Sequence, residues 1–286
     1  MNHTAELVLH QYMQKAVKGE SEMSDKTAER IGIDVMNAVK RQFGGGSKRG
    51  EFSLRMSNLG RPTCQLWFEK NHPEKALPRP TNFIMNMMIG DIVEAVFKGL
   101  LTEAGVQYED SEKVTLDVDG ESINGTYDLV IDGAVDDVKS ASDWSYKYKF
   151  DSFDTLKKGD AFGYVGQLAG YAKASGKRAG GWWVVNKANG KFKYVPASNI
   201  DMEEELSKLS DTVKKVKENK FERCFEPIPE TFRKKPTGNT MLCTTCSFCD
   251  FRKECWPDAI ERPAVKSQAK DPKKVMYVHL EEEYIA

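Results

Sequence analysis

The chain has 286 residues, 40% hydrophobic and 30% charged, with 42 Lys and Arg against 43 Asp and Glu for a net charge of −1. That content supports a globular fold in one large domain or two small ones, and it excludes a global positive field, so a nucleic-acid partner must be held by a local groove. No apolar run approaches the roughly 20 residues of a membrane span, the N-terminus lacks a signal-peptide pattern, and four of six cysteines crowd into Cys243–Cys255, unlike a secreted disulfide scaffold; the expectation is a cytoplasmic protein without a membrane partner.

From Thr4 to Lys18 and from Thr27 to Phe43 apolar residues recur at helical spacing, with Leu7, Val8 and Tyr12, then Ile31, Val35 and Val39, marking the stripes of two amphipathic helices. Gly44 to Gly50 is a flexible, basic break that reads as a linker or as a contact to a phosphate backbone. Ser57 offers an N-cap for a helix carrying Leu59, Cys64, Leu66, Trp67 and Phe68, with Pro62 near its start. On its own, Cys64 reads as a small buried hydrophobe. Thr81 to Ala104 is a long apolar-periodic run that predicts a buried helix. Within it Glu94 lies one turn beyond Gly90, where the missing side chain lets a backbone or ligand approach.

Lys113 to Val118 alternates as a strand and Asp119-Gly120 makes a turn. Ile123 to Ser142 then predicts a β-hairpin turning at Asp132-Gly133. With a two-residue turn, Ile131 pairs with Ala134, and Asp128 lies opposite Asp137. The alternation of side chains puts Lys139 on the face of Asp137, with Tyr127, Leu129, Ile131 and Val138 on the other. Like charges opposite one another destabilise a sheet unless something positive lies between them. A divalent cation with a preference for hard oxygen ligands, Mg²⁺ or Mn²⁺, fits that place, and Lys139 is placed to polarise a phosphate or a water. The plainer alternative is a solvated acidic face. Asp136 falls among the apolar side chains in this register, and a one-residue bulge would exchange it with Asp137.

Trp144 to Lys158 predicts a connecting helix or ordered loop, and Ala161 to Ala174 a helix with Gln167 and Tyr171 on one face. Trp182–Val185, an Asn189-Gly190 turn and Phe192–Val195 predict a second hairpin. Asp201 to Lys220 reads as a solvated helix leading away from the core. An irregular, Pro-rich stretch, the cysteine group and a strand over Val275–Leu280 follow. Cys246 and Cys249, two residues apart, can place two thiolates on one ion or cluster, with Cys255 as a third. Cys243 would complete a local zinc site; Cys64 would complete a four-cysteine iron–sulfur site.

Taken together, Cys64, Gly90-x-x-x-Glu94, Gly125-x-x-Asp128, Asp137-Val138-Lys139, Gln167-x-x-x-Tyr171 and Cys246-x2-Cys249-x5-Cys255 resemble the PD-(D/E)-x-K nucleases of the RecB-like branch. The likeness is to those with a four-cysteine iron–sulfur cluster, the CRISPR-associated exonucleases and their phage-type relatives, and it spans Ser57 to Trp256. The resemblance implies an α/β, restriction-endonuclease-like mixed sheet flanked by helices, with a helical N-terminal region and linker (1–50), a nuclease core (51–222) and a C-terminal iron–sulfur segment (223–286) packing back on the core. It implies that Asp128 and Asp137 bind the catalytic Mg²⁺ or Mn²⁺ with the Val138 carbonyl nearby, that Lys139 assists the nucleophile, and that Gln167 and Tyr171 position Lys139 and the DNA. It also implies a [4Fe-4S] cluster held by Cys64, Cys246, Cys249 and Cys255. Glu94 stands where many relatives place a metal-binding His; a carboxylate suits the same ions. The expected activity is phosphodiester hydrolysis by metal-activated water on single-stranded DNA ends, leaving a 5′-phosphate and a 3′-hydroxyl. Duplex ends, endonuclease action, a homo-oligomer, a recombination or replication partner, and a host cytoplasm for a phage-encoded chain are compatible with the same motifs. The rival is a catalytically inactive DNA-binding or assembly module with a structural zinc or iron–sulfur site.

Overall fold

A computed structural model describes residues 3–44 and 51–282; the glycine-rich break expected at Gly44–Gly50 lies outside the described residues except for Gly44. The chain opens with α1 (Thr4–Val17), α2 (Asp25–Phe43), α3 (Met56–Leu59), α4 (Thr63–Asn71) and α5 (Phe83–Glu103). Four strands follow, β1 (Glu112–Val118), β2 (Glu121–Tyr127), β3 (Leu129–Ile131) and β4 (Ala134–Ala141). A π-helical turn (Ser145–Lys149) leads into α6 (Phe153–Lys158), α7 (Tyr164–Ser175), β5 (Arg178–Asn186), β6 (Phe192–Pro196) and α8 (Met202–Glu218). Last come β7 (Ile228–Phe232), β8 (Lys235–Met241), the short α9 (Thr244–Ser247) and α10 (Arg252–Cys255), β9 (Ile260–Pro263) and β10 (Lys274–His279). No helix among the described residues is long and apolar enough to cross a membrane.

The chain is mixed α/β and divides into two compact units, Met1–Gly60 with Pro80–Lys214, and Arg61–Arg79 with Lys215–Ala286. These boundaries differ from the blocks 1–50, 51–222 and 223–286 expected from sequence, and packing gives the reason. Ala5 and Leu9 of α1 share a core with Phe97, Leu101, Leu129, Ile131, Val138 and Trp183, so the N-terminal helices belong with the sheet. The stripe on α1 is Ala5, Glu6 and Leu9, whereas the expected Leu7 is half exposed. Conversely, Phe68 of α4 stacks on Phe251 at 5.3 Å, which ties the Cys64 helix to the C-terminal segment.

In the first unit the main sheet has the order β3-β4-β5-β6. Only β4 and β5 run parallel, and α6 and α7 lie in the crossover between them, the connection that parallel neighbours require. The β3–β4 turn has positive φ at both Asp132 (52°) and Gly133 (71°), the geometry of a type I′ hairpin turn. Leu129 pairs with Asp136 and Ile131 with Ala134, so Asp128, one residue beyond β3, lies across from Asp137. The expected hairpin was too long, however: Ile123 and Tyr127 lie in β2, which pairs with β1 instead. Asp128 therefore sits at the junction of β2 and β3. Both faces of the β3–β4 hairpin are covered, Val130 and Val135 in one core and Leu129, Ile131 and Val138 in the other. Leu209 and Val213 of α8 are buried in the first of these cores, so this helix does not lead away from it as its charge pattern suggested.

The second unit contains an antiparallel sheet, β7-β8-β10-β9, where the sequence predicted one strand and an irregular stretch. Pro229, Pro236, Gly238 and Pro263 interrupt the alternation that marks strands. Its sheet is pinned by buried Glu230, which accepts hydrogen bonds from Tyr277 Oη (2.6 Å), Asn239 Nδ2 (2.8 Å) and Thr237 Oγ1 (2.8 Å).

Candidate active site

Strand β4 carries two adjacent carboxylates to opposite faces, because side chains alternate along a strand. Asp136 is enclosed, accepting hydrogen bonds from Trp183 Nε1 (3.0 Å) and Tyr194 Oη (2.9 Å). Register shifts by one residue between β4 and β5 at Val135/Asp136. This bulge leaves Gly180 unpaired, and a Cβ there would collide with Asp136 Oδ1. The irregularity thus lies in β5 and makes room for Asp136, leaving Asp137 on the face predicted for it.

On that other face Asp137 is 4% exposed, and Lys139 Nζ lies 2.7 Å from its Oδ1 and 2.6 Å from its Oδ2. Oδ2 makes this close ion-pair contact without a directed hydrogen bond. Asp128 accepts a 2.7 Å hydrogen bond from the Val138 N–H, which locks its carboxylate beside the strand. From α5, Glu94 is held by Lys98 Nζ at 2.7 Å, and Lys98 also reaches Asp110 at 3.1 Å. Gly90 faces β4 across an ordinary contact distance, since a Cβ there would sit 3.7 Å from Ser140 Oγ, so the approach of α5 does not require the glycine expected to permit it.

Burial and the charge of Asp137 push Asp128 up to about 6. Burial raises Glu94 as well, with Asp128 adding to it, and burial raises Asp137, with Glu94 adding to it. Burial by itself would favour neutral Lys139, yet the adjacent Asp137 and Asp128 outweigh it and hold the ammonium above its ordinary value. Three carboxylates that raise one another's proton affinity beside two lysines, Lys139 and Lys98, form a site with one more negative than positive group. Among the described residues no group of three or more His, Cys, Asp or Glu side chains closes on a point as a single bound ion requires. The Lys139 ammonium sits directly against Asp137. The donor set, all carboxylate oxygen, suits a hard divalent ion.

Helix α7 supplies Gln167 and Tyr171, four residues apart, with Gln167 Nε2 donating to Tyr171 Oη at 3.0 Å. Burial raises the Tyr171 phenol to about 12, and the Asp137 and Asp128 charges add to the shift. The Tyr171 ring packs where Gly125 lacks a side chain, since a Cβ would lie 2.6 Å from its Cε1. The structure therefore brings together Glu94, Asp128, Asp137, Val138, Lys139, Gln167 and Tyr171. Two further members were not singled out from sequence. Lys98, buried one turn beyond Glu94, was signalled by its i, i+4 spacing. Tyr164, whose ring centre lies 4.9 Å from Lys139 Nζ, had no local signal.

In the second unit, Cys64, Cys246, Cys249 and Cys255 line one pocket with Pro62, Phe68, Phe225 and Trp256. Cys243 is not among its lining residues. Burial pushes the Cys249 thiol up to about 11, and burial likewise raises Cys246 and Cys255. Soft sulfur donors in an apolar wall are the ligand type of a thiolate-bound cluster, whose positive charge would offset the cost of ionising them, although they do not close on the single point that one ion requires. Cys224, which stands alone in the sequence, adjoins this group: its Sγ accepts from the Cys64 N–H at 3.1 Å and lies 3.3 Å from Thr63 Oγ1. Its contact with Cys64 lowers the Cys224 thiol to about 6.

No family model matches the chain, and no curated protein matches it. A solved structure described as "Crystal structure of SSO0001" aligns with a TM-score of 0.41 at 13% identity, over 80% of this chain and 96% of that chain.

Proposed function

We propose that the chain is a metal-dependent DNA nuclease of the PD-(D/E)-x-K type, hydrolysing phosphodiester bonds at single-stranded ends. The observation that carries this reading is the convergence of Asp128, Asp137 and Lys139 on one side of a hairpin, with Glu94 brought in by α5. Asp128, Asp137 and Glu94 would hold Mg²⁺ or Mn²⁺, with the Val138 carbonyl nearby. When bound, the ion supplies Lewis-acid stabilisation of phosphate charge and lowers the pKa of water. With the carboxylates so engaged, the Lys139 ammonium is available to a phosphate oxygen and the nucleophile, oriented by the Tyr164 ring beside it. A restriction-endonuclease-like core agrees with the mixed sheet and its parallel β4–β5 pair.

For the second unit we propose an iron–sulfur segment with Cys64, Cys246, Cys249 and Cys255 as ligands, supported by their shared pocket. Incubating anaerobically purified protein with end-labelled single- and double-stranded DNA and Mg²⁺ or Mn²⁺ tests the activity; binding without cleavage under every condition would favour the inactive DNA-binding module. Iron content and visible absorbance test the ligands. Cys64→Ala is expected to lose the cluster and Cys243→Ala to keep most of it; the reverse pattern, or stoichiometric zinc in the unaltered protein, overturns the assignment.

A further inference from the structure

Beside the carboxylates the chain builds an aromatic surface that the hydrolytic chemistry does not use. The π-helical turn and the loop entering α7 place Phe150, Phe162 and Tyr164 around the Lys149 ammonium, whose Nζ lies 5.8, 4.8 and 4.3 Å from the three ring centres. Phe162 and Tyr164 stack at 5.7 Å with 20° between their planes, and Phe162 remains 50% exposed. Tyr164 also lies 4.9 Å from Lys139 Nζ, so one ring adjoins the active-site lysine, a second cation and an exposed aromatic neighbour. Among the described residues Lys149 makes no ion pair at contact distance. A large exposed phenyl ring gains nothing from water, and core packing requires nothing of its outer face.

Resting on the nuclease reading, we propose that Phe162, backed by Tyr164 and Lys149, is a base-stacking platform that holds the nucleotide next to the scissile phosphate and thereby selects single-stranded over duplex DNA. The occupant follows from the chemistry. Every base presents a π face, an aromatic ring can stack on it only where no neighbouring base covers it, and a cation alongside serves the phosphate backbone. In a duplex the base faces are already stacked, so Phe162 would gain nothing there without unpairing. Lys149, beside the stacking unit, gives the backbone a local positive charge in a chain with no net positive charge.

The test measures binding with the metal chelated, so that cleavage does not interfere. Fluorescently labelled oligothymidylate and a blunt duplex are titrated against the unaltered protein, Phe162→Ala, Phe162→Leu and Phe162→Tyr. Loss of one stacked base weakens binding about 5- to 150-fold, and this loss is expected for the single strand in the Ala and Leu variants. The Tyr variant is expected to retain affinity, and duplex binding to stay the same throughout. Lys149→Ala is expected to lower the salt slope of single-strand binding by about 0.7. A second readout needs no variant: 2-aminopurine at the terminal or adjoining position of a single strand is expected to be quenched on binding. Folded Ala and Leu variants within twofold of the unaltered protein, or unquenched 2-aminopurine in a bound complex, overturn the platform. If cleavage of DNA persists in that case, the nuclease reading stands without it. An unaltered protein that neither binds nor cuts DNA overturns both.

Discussion

Asp136 and Asp137 are neighbours on one strand, equally deprived of water, yet the two faces of β4 treat them differently. On one face the protein meets the carboxylate with donors: Trp183 and Tyr194 hydrogen-bond Asp136, and Gly180 leaves space for it. On the other, Asp137 has a lysine and other carboxylates, and its Oδ2 lacks a directed hydrogen bond. A buried polar group that is fully partnered contributes to structure, while one left short of donors stands ready for a ligand. The difference separates these two residues more sharply than any property of the aspartate itself.

The largest test of this contrast is cleavage. Asp137→Asn is expected to lower the rate about 10³-fold with the fold retained, as loss of charge stabilisation at a reacting phosphate does, while Asp136→Asn stays within about threefold. Equal losses in the two variants would erase the contrast. Lys139→Ala is expected to lower single-turnover cleavage about 10²-fold with near-normal DNA affinity; weakened binding with unchanged turnover at saturating DNA would reduce Lys139 to a phosphate contact. Ligand binding to the folded state gives a third measure. Mg²⁺ or Mn²⁺ at 100 times its Kd is expected to stabilise the unaltered protein by about 2.7 kcal/mol, and Asp137→Asn to remove most of that gain in thermal melts. An undiminished gain in Asp137→Asn would place the ion elsewhere.

The smallest effect concerns Asp136 and pH. Burial raises its carboxyl to about 7 despite the hydrogen bonds from Tyr194 and Trp183, so between the unfolded value of 3.8 and about 7 the folded state binds the extra proton. Stability from this group is therefore highest at low pH and falls as pH rises, by about 1 kcal/mol between pH 6 and 7. With the metal chelated, chemical denaturation at the two values is expected to show a drop that Asp136→Asn reduces by about that amount. An identical drop in the variant would mean that Asp136 is already ionised in the folded protein.

The sequence made this contrast partly visible. An Asp-Gly turn and strict alternation specify register, and so they placed Asp128 across from Asp137 and Asp136 among apolar neighbours. They could not reveal the donors that receive Asp136, because Trp183 and Tyr194 come from β5 and β6, some 50 residues away. Local charge pattern misled for α8, whose many charged positions conceal the narrow seam of Leu209 and Val213. The β7–β10 sheet was hidden by prolines and by strands such as β7 that bury a single residue, Glu230. Cys224 was passed over because its partner Cys64 lies 160 positions earlier.

The composition of the second unit from two separated stretches, Arg61–Arg79 and Lys215–Ala286, has a consequence for how the protein is made. The intervening stretch, 80–214, is 135 residues long, which at about 5–20 residues per second takes a ribosome roughly 7–27 s to synthesise. During that interval Trp67 and Phe68 have emerged while Phe221 and Phe251, the rings they meet in the finished unit, have not. The two rings of the first stretch must wait without these partners while the whole remainder of the first unit is translated. A nascent chain stalled near residue 214 is therefore the form of this protein most exposed to chaperone capture and to aggregation.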